Sequence, residues 1–216
     1  MDAALALKPA ASTEAADTAV LLEAARSASM PLNELMERAQ ALQTAARADE
    51  AAALYGAWVA HTASPLRHVA CFNWGTVLSH LGRHGQAESA YRSALETSPG
   101  FAPAHLNLGH LCERRGDVEG ALLQWQGVFE ATPPALLEHR LHALNNSARL
   151  LETQRRYAQA EALMCRSLTL KAAQGDVIQH YVHIPRSNAP GRTTRLWAMS
   201  RRTSCWWARR CWRRWA

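Results

Sequence analysis

The sequence predicts an all-α protein, an α-solenoid of stacked helical hairpins. This prediction rests on a repeat of 34 residues, on helical spacing of the apolar residues within it, and on abundant alanine. Two copies of the repeat lie between residues 68 and 134. Six residues of the first copy return 34 positions later in the second: Asn73, Gly75, Gly82, Ala87, Tyr91 and Pro99 become Asn107, Gly109, Gly116, Ala121, Trp125 and Pro133.

Each copy has the pattern of two helices joined by a turn. The first helix of copy one has small or apolar residues at i, i+3, i+4 and i+7: Cys71, Trp74, Gly75 and Leu78. Gly75 and Ala87 are small where the two helices must approach closely. Gly82 follows the first helix and offers a left-handed cap, and Pro99 ends the second helix. A hairpin of this kind cannot bury its apolar stripe alone, so neighbouring hairpins must share a core.

The period, with its small, aromatic and proline positions in this order, resembles the tetratricopeptide repeat. The resemblance implies a right-handed superhelix with disordered ends. We predict four repeats, separated by about two extra residues near Ser64 and by five before the last repeat. An Ala-rich leader with a possible helix at 18–28 precedes them, and the start of another helix with Asp176 as N-cap follows. The predicted ranges are 1–30 for the leader, 32–65, 68–101, 102–135 and 141–174 for the repeats, 175–184 for the helix start, and 185–216 for the tail.

Charge is divided unevenly along the chain. The net charge is +6, but residues 185–216 contain nine Arg and no acidic residue, which leaves 15 basic and 18 acidic groups, or −3, in residues 1–184. The first dozen residues lack the pattern of a signal peptide, and no apolar run is long enough to span a membrane. Five cysteines without a CxxC pair argue against disulfides and zinc ribbons. These features predict a cytoplasmic protein.

Carboxamides recur on the first helix of three successive repeats, at Asn73, Asn107 and Asn146. A carboxamide both donates and accepts hydrogen bonds, so such a ladder could bind the backbone of an extended peptide in a concave groove. The alternative is that Asn at this place shapes the repeat itself. One helical turn further on, three residues would adjust specificity: Thr76, His110 and Arg149.

No residues with a catalytic or metal-binding pattern are evident. The ten histidines include two i, i+3 pairs, but neither pair lies near Cys or carboxylate ligands at a recognisable spacing. Nucleophile elbows, phosphate-binding glycine loops and HExxH motifs are missing from the sequence. We therefore expect no catalytic residue, no metal and no cofactor in this chain.

The tail from residue 185 has three interpretations. It holds five of the eight Trp and ends SCWWARRCWRRWA, a composition suited to nucleic acid or an anionic membrane surface. It could instead be a disordered appendage, or the product of a gene read in a shifted frame. Moving the codon boundary back by one base permits K-Q-C-x-W-P over residues 187–192 and ordinary helix over 205–216.

Residues 176–184, DVIQHYVHI, together with that permitted K-Q-C-x-W-P, resemble bacterial relatives of the O-linked N-acetylglucosamine transferases, the SPINDLY-like group. The resemblance covers residues 32–184, and in that family the repeats hold acceptor polypeptides through an asparagine ladder. It maps the ladder onto Asn73, Asn107 and Asn146, whereas the first repeat has Glu37 at the equivalent place. The family's UDP-GlcNAc site lies beyond residue 184, so the resemblance implies a docking region truncated before its catalytic region. An uncovered last repeat would then favour self-association.

Overall fold

The computed structural model describes residues 9–27, 29–131 and 136–183, and the regular secondary structure within these ranges is helical. Residues 1–8, Pro133 and the Arg/Trp-rich tail, for which predictions were made, lie outside them. The described residues form helices α1 Pro9–Arg26, α2 Leu32–Thr44, α3 Ala48–His61, α4 Arg67–His80, α5 His84–Thr97, α6 Ala102–Arg114, α7 Val118–Ala131, α8 Leu137–Thr153, α9 Tyr157–Leu170 and α10 Gly175–His183.

The chain divides into two compact units, which we call the N-terminal unit (Met1–Leu111) and the C-terminal unit (Cys112–Ala216). The boundary falls within α6. In the N-terminal unit α2 packs on α3, α3 on α4 and α4 on α5. In the C-terminal unit α7 packs on α8, α8 on α9 and α9 on α10. None of the helices in the described ranges has both the length and the apolar character needed to cross a membrane.

Among the described residues, the turns after α2, α4, α6 and α8 have the same backbone geometry. One residue in each has a positive φ: Ala46 at 60°, Gly82 at 75°, Gly116 at 80° and Arg155 at 58°. At the second turn Gly82 N–H donates to Ser79 O (3.1 Å) and Arg83 N–H to Leu78 O (2.9 Å). These are the two bonds of a Schellman cap. The corresponding pairs of bonds are present at the other three turns, and the left-handed cap predicted at Gly82 is confirmed.

The number of residues between successive positive-φ positions gives the length of each repeat along the chain. They lie 36, 34 and 39 residues apart along the chain. The sequence predicted about two extra residues near Ser64 and five before the last repeat, and the first and third spacings agree with both numbers. Some of the extra length before the last turn lies in α8, which has 17 residues where α2, α4 and α6 have 13 or 14.

Close packing in the N-terminal unit depends on small residues facing large rings. Tyr91 is 1% exposed, and a methyl group added to Gly75 would lie 2.6 Å from a carbon of its ring. Real Cβ contacts essentially never come so close, so Gly75 is required by its neighbour. Trp58 is also buried, and its Nε1–H donates to Met30 O at 2.8 Å. This hydrogen bond replaces the one that the indole N–H would make to water.

The last described helix covers part of the final hairpin. Tyr181 of α10 is 1% exposed and belongs to a core cluster with Leu151, Met164 and Leu168. The prediction that Asp176 is the N-cap is wrong, because α10 begins at Gly175 and Asp176 lies in its first turn. A carboxylate in the first turn still favours the helix through the helix dipole.

The first helix begins earlier than the sequence suggested. A possible helix was predicted over 18–28, whereas α1 runs from Pro9 to Arg26. Proline is favourable at the first helical position because its missing N–H has no partner there in any case. Thr18 then ties α1 to α3: its hydroxyl donates to Glu50 Oε2 (2.5 Å) and accepts from Arg47 (2.7 Å).

Candidate functional site

The six residues predicted to bind peptide lie on three helices. Asn73 and Thr76 belong to α4, Asn107 and His110 to α6, and all four are in the N-terminal unit. The remaining two, Asn146 and Arg149, lie on α8 in the C-terminal unit. The carboxamides are half-buried, while the side chains of His110 and Arg149 are exposed.

Two of the residues in the N-terminal unit form a chain of hydrogen bonds with a buried tyrosine. Asn107 Nδ2 donates to Tyr91 Oη at 3.1 Å, and Tyr91 Oη donates to Thr76 Oγ1 at 3.5 Å. The Thr76 hydroxyl in turn donates to Phe72 O at 3.1 Å. We call Thr76, Tyr91 and Asn107 the tyrosine cluster. These hydrogen bonds lie within the unit, as expected if the recurring asparagine shapes the repeat itself.

Burial favours the neutral phenol of Tyr91 in the tyrosine cluster. Burial raises the pKa of Tyr91 above its ordinary value, and the hydrogen bonds with Thr76 and Asn107 only partly oppose that rise. A phenol that stays protonated retains its O–H donor. Asn107 therefore contributes to a stable internal network, and only the rest of its carboxamide is left to face a ligand.

Asn73 differs from Asn107. Its carboxamide is half-buried and makes no hydrogen bond to any other described residue. Close to it in sequence on α4, Phe72 packs against Tyr91 with ring centroids 5.8 Å apart and edge-on to Phe101 at 5.5 Å. His68 also meets Phe101 edge-on, at 5.0 Å. Asn73 thus offers unused donors and an acceptor.

The C-terminal unit contains an open groove of about 420 Å³, within the range of about 300–1,000 Å³ typical of ligand sites. We call it the C-terminal groove. It lies where α8, α9 and the start of α10 meet. The residues that line it are Asn145, Asn146, Arg149, Met164, Gln174, Gly175, Asp176, Val177 and His180. Both predicted binding residues of this unit, Asn146 and Arg149, are among them.

Two basic side chains at the C-terminal groove lie against carboxylates. Arg149 Nη2 contacts both carboxylate oxygens of Glu113, at 2.6 and 2.8 Å. His180 Nδ1 lies 3.2 Å from Glu152 Oε2. The Arg149 guanidinium, predicted to adjust specificity, is therefore already paired with a carboxylate before any ligand arrives.

Sequence reasoning missed a polar cluster that builds one wall of the groove. Ser167 is fully buried, and its hydroxyl donates to Asn145 Oδ1 at 2.6 Å. Asn145 Nδ2 donates to Gln174 Oε1 (2.9 Å), and Gln174 Nε2 donates to Ser167 Oγ (3.0 Å). We call these three residues the amide–hydroxyl cluster. Since Gln174 directly precedes α10, the cluster fixes where that helix begins.

The described residues offer nothing for metal chemistry. Within these ranges there is no group of three or more His, Cys, Asp and Glu side chains that could hold a metal ion. Cys71 and Cys112 are buried cysteines outside any disulfide, and Cys165 is partly buried. Burial raises the pKa of the Cys71 thiol, which favours its protonated form.

The geometry described above has a counterpart among known repeats. The family model for the tetratricopeptide repeat matches residues 68–101, which contain α4, α5 and the turn at Gly82. The chain contains a tetratricopeptide repeat at residues 68–101.

A curated relative supports the same assignment. It is the tetratricopeptide repeat and J domain-containing co-chaperone DNJ1 of Fusarium oxysporum, 32% identical over 98 residues. The match covers 45% of this chain, and it spans only 18% of the length of the relative.

Solved structures agree on the tetratricopeptide fold. A tetratricopeptide repeat protein from Parabacteroides merdae is 18% identical with a TM-score of 0.59, covering 81% of this chain and 68% of that one. Pseudomonas aeruginosa pilF is 18% identical with a TM-score of 0.56, covering 84% and 74%. MamA from Desulfovibrio magneticus is 16% identical with a TM-score of 0.57, covering 79% and 96%. Identities this low are evidence for the fold alone.

Proposed function

We propose that the chain is a protein–protein interaction scaffold whose units bind extended polypeptide through the first helices of their repeats. The observation that carries this proposal is the unbonded, half-buried carboxamide of Asn73, together with the C-terminal groove beside Asn146. A carboxamide presents two donors and an acceptor, the same groups that an extended backbone requires. Contacts of this kind hold main chain with little regard to side-chain sequence.

The three asparagines are not equivalent in this proposal. Asn73 makes no internal bond, whereas one donor of Asn107 is committed to Tyr91. We therefore expect Asn73 to contribute more to binding than Asn107. Thr76, which belongs to the tyrosine cluster, acts mainly by holding Tyr91, and His110 lies exposed one turn beyond Asn107.

The experiment compares three single variants, Asn73→Ala, Asn107→Ala and Asn146→Ala, in binding a fluorescent pool of short neutral peptides. Asn33→Ala is the matched control, because Asn33 is an exposed asparagine at the start of α2. We expect Asn73→Ala to weaken binding by about fivefold, because it loses one hydrogen bond of about 1 kcal/mol to the peptide. The melting temperature should not fall. Equal affinities for Asn33→Ala and Asn73→Ala would refute the role of Asn73.

The finer proposal is that these repeats are the docking part of a glycosyltransferase resembling the O-linked N-acetylglucosamine transferases. It is supported by the resemblance of residues 176–184 and by the asparagine ladder. The 216 residues alone should transfer no sugar from UDP-GlcNAc to a peptide acceptor. Measurable transfer would contradict the inference that the catalytic region lies beyond residue 184.

A second candidate follows from the fungal relative, whose name describes it as a co-chaperone. The chain would then bind segments of unfolded polypeptide, again through its repeat helices. A light-scattering assay with a thermally unfolding test protein distinguishes the two candidates. Suppressed aggregation supports the co-chaperone, and unchanged aggregation with retained binding of the neutral peptide pool favours simple docking.

Three further predictions stay open. Binding of nucleic acid or anionic membranes through residues 185–216 is the alternative function, and deleting those residues should abolish it. Self-association through the last repeat is the second, although α10 buries Tyr181 against that repeat. Sedimentation velocity over a dilution series tests it, since a constant sedimentation coefficient would exclude it. A cytoplasmic location is the third, and fractionation of the source cells would test it.

A further inference from the structure

The charges around the C-terminal groove do not cancel. Three of its lining side chains can be charged: Arg149, Asp176 and His180. Arg149 is held by both oxygens of Glu113, and His180 is next to Glu152. The exposed carboxylate of Asp176 has no hydrogen-bonding or ion-pair partner among the described residues. The groove therefore presents at least one negative charge, on Asp176, that has no cationic partner among the described residues.

The floor of the C-terminal groove is apolar. Met164 is 3% exposed and Val177 is half-buried, and both line the cavity that Asp176 borders. Lys and Arg side chains combine an aliphatic stem with a charged end, and they bury the stem on apolar surface while the charge stays near water. A basic side chain therefore matches both the floor and the border of this groove.

We propose that the C-terminal groove selects a polypeptide segment with a basic side chain, whose stem lies on Met164 and Val177 and whose charge meets Asp176. This inference rests on the proposed binding of polypeptide and adds the class of side chain. Arginine is favoured over lysine, because its planar guanidinium can contact both oxygens of one carboxylate. Asn146 lines the same groove.

An anionic ligand is the opposite possibility. The N-terminus of α10 and the Arg149 guanidinium would both attract an anion. However, Asp176 already lies in the first turn of α10, and Glu113 already occupies Arg149. A second carboxylate or phosphate in this groove would face Asp176 and compete with Glu113. The arrangement thus favours a cation.

The test uses three pools of short peptides with neutral randomised flanks and a central arginine, citrulline or glutamate. Citrulline has nearly the shape of arginine and no charge. Binding to the full chain is followed at low salt by fluorescence anisotropy and by shifts of the Gly175 and Val177 amides in ¹H–¹⁵N spectra. The variants are Asp176→Asn and, as matched control, Asp17→Asn, which removes an exposed carboxylate from α1 in the other unit.

We expect the arginine pool to bind about fivefold more tightly than the citrulline pool, a difference that corresponds to one solvent-exposed charge pair. Asp176→Asn should abolish this preference, Asp17→Asn should preserve it, and the glutamate pool should bind most weakly. Equal binding of all pools, unchanged by Asp176→Asn, would overturn the charge selectivity while peptide binding stands. Failure of every pool to bind would overturn both, and tighter binding of the glutamate pool would establish an anion site instead.

Discussion

The two units make the same helical hairpin with different side chains at matching places. In the N-terminal unit Gly75 faces the ring of Tyr91, and an added Cβ would lie 2.6 Å from that ring. At the equivalent places of the last repeat the C-terminal unit has Ala148 and Met164, both buried. A rigid ring needs a glycine partner, whereas a flexible thioether packs around a methyl group. Within each repeat the residues at these two places are therefore matched in size, although their identities differ between repeats.

Polar residues differ between the units in the same way. The N-terminal unit uses Asn107 to satisfy the buried hydroxyl of Tyr91. The C-terminal unit, which has no tyrosine at that place, presents Asn146 to an open groove bordered by charged residues. The recurring asparagine thus bonds a buried hydroxyl at Asn107, and at Asn146 it lines an open groove. Periodicity alone does not show these different surroundings.

The largest expected effect tests the pairing of glycine with an aromatic ring. Gly75→Ala should reduce the free energy of unfolding by about 3 kcal/mol, because the new methyl group displaces the Tyr91 ring. Gly85→Ala on α5 is the matched control: nothing lies within 4 Å of its added Cβ, so it should stabilise the helix by about 0.5–1 kcal/mol. Urea unfolding followed by circular dichroism measures both. Equal effects would break the comparison between the units.

The next effect concerns the amide–hydroxyl cluster of the C-terminal unit. Ser167→Ala should cost about 2 kcal/mol, because Asn145 Oδ1 loses its donor inside the protein. Amides of α10 should then exchange with deuterium faster than those of α4. As a control, Ser89→Ala removes an exposed hydroxyl that bonds only within its own helix, and it should leave exchange unchanged. Unaltered exchange of α10 in Ser167→Ala would show that the cluster does not hold that helix.

A smaller effect should be the same in both units, because it depends on backbone alone. Gly82→Ala and Gly116→Ala place a Cβ at positive φ and should each cost about 1 kcal/mol. Arg155→Gly should gain about 0.5–1 kcal/mol, since it relieves that strain. Thermal unfolding measures all three. A destabilised Arg155→Gly would mean that the arginine side chain has a role beyond the turn.

The smallest effect is a pH dependence at Glu50 of the N-terminal unit. Hydrogen bonds from Arg47 and Thr18 lower the pKa of Glu50 to about 2. A lowered folded-state pKa means that this stabilisation is complete above the ordinary value of 4.5 and is lost as the pH falls towards 2. The side chain is partly exposed, so we expect at most about 1 kcal/mol. Stability of Glu50→Gln should depend less on pH across this window, and identical profiles would contradict the prediction.

Much of the fold was predictable because successive copies of the repeat can be compared with one another within the sequence. The turn at Gly82 and the extra residues near Ser64 and before the last repeat followed from that comparison alone. The start of α1 at Pro9 did not, since that segment has no counterpart to compare with. The prediction that Asp176 is the N-cap of α10 was wrong, because the start of a helix depends on local hydrogen bonds such as those of Gln174.

The candidate site was predictable only in outline. Periodicity placed Asn73, Asn107 and Asn146 on equivalent helices, but the partner of Asn107 is a hydroxyl 16 residues away on a different helix. Asn145, adjacent to a predicted binding residue, was missed because it belongs to no repeated pattern. A sequence shows which side of a helix a residue lies on, and it does not show which atom of the next helix will be within reach.

The shared turn geometry has a practical consequence for anyone who modifies this chain. The turns at the positive-φ residues are bound by two backbone bonds each, whereas the number of residues from one such turn to the next already varies, at 36, 34 and 39. Residues 62–66, between α3 and α4, are therefore a natural point for inserting an epitope or a fluorophore sequence. The same insertion at residues 81–83 would separate the two halves of a hairpin.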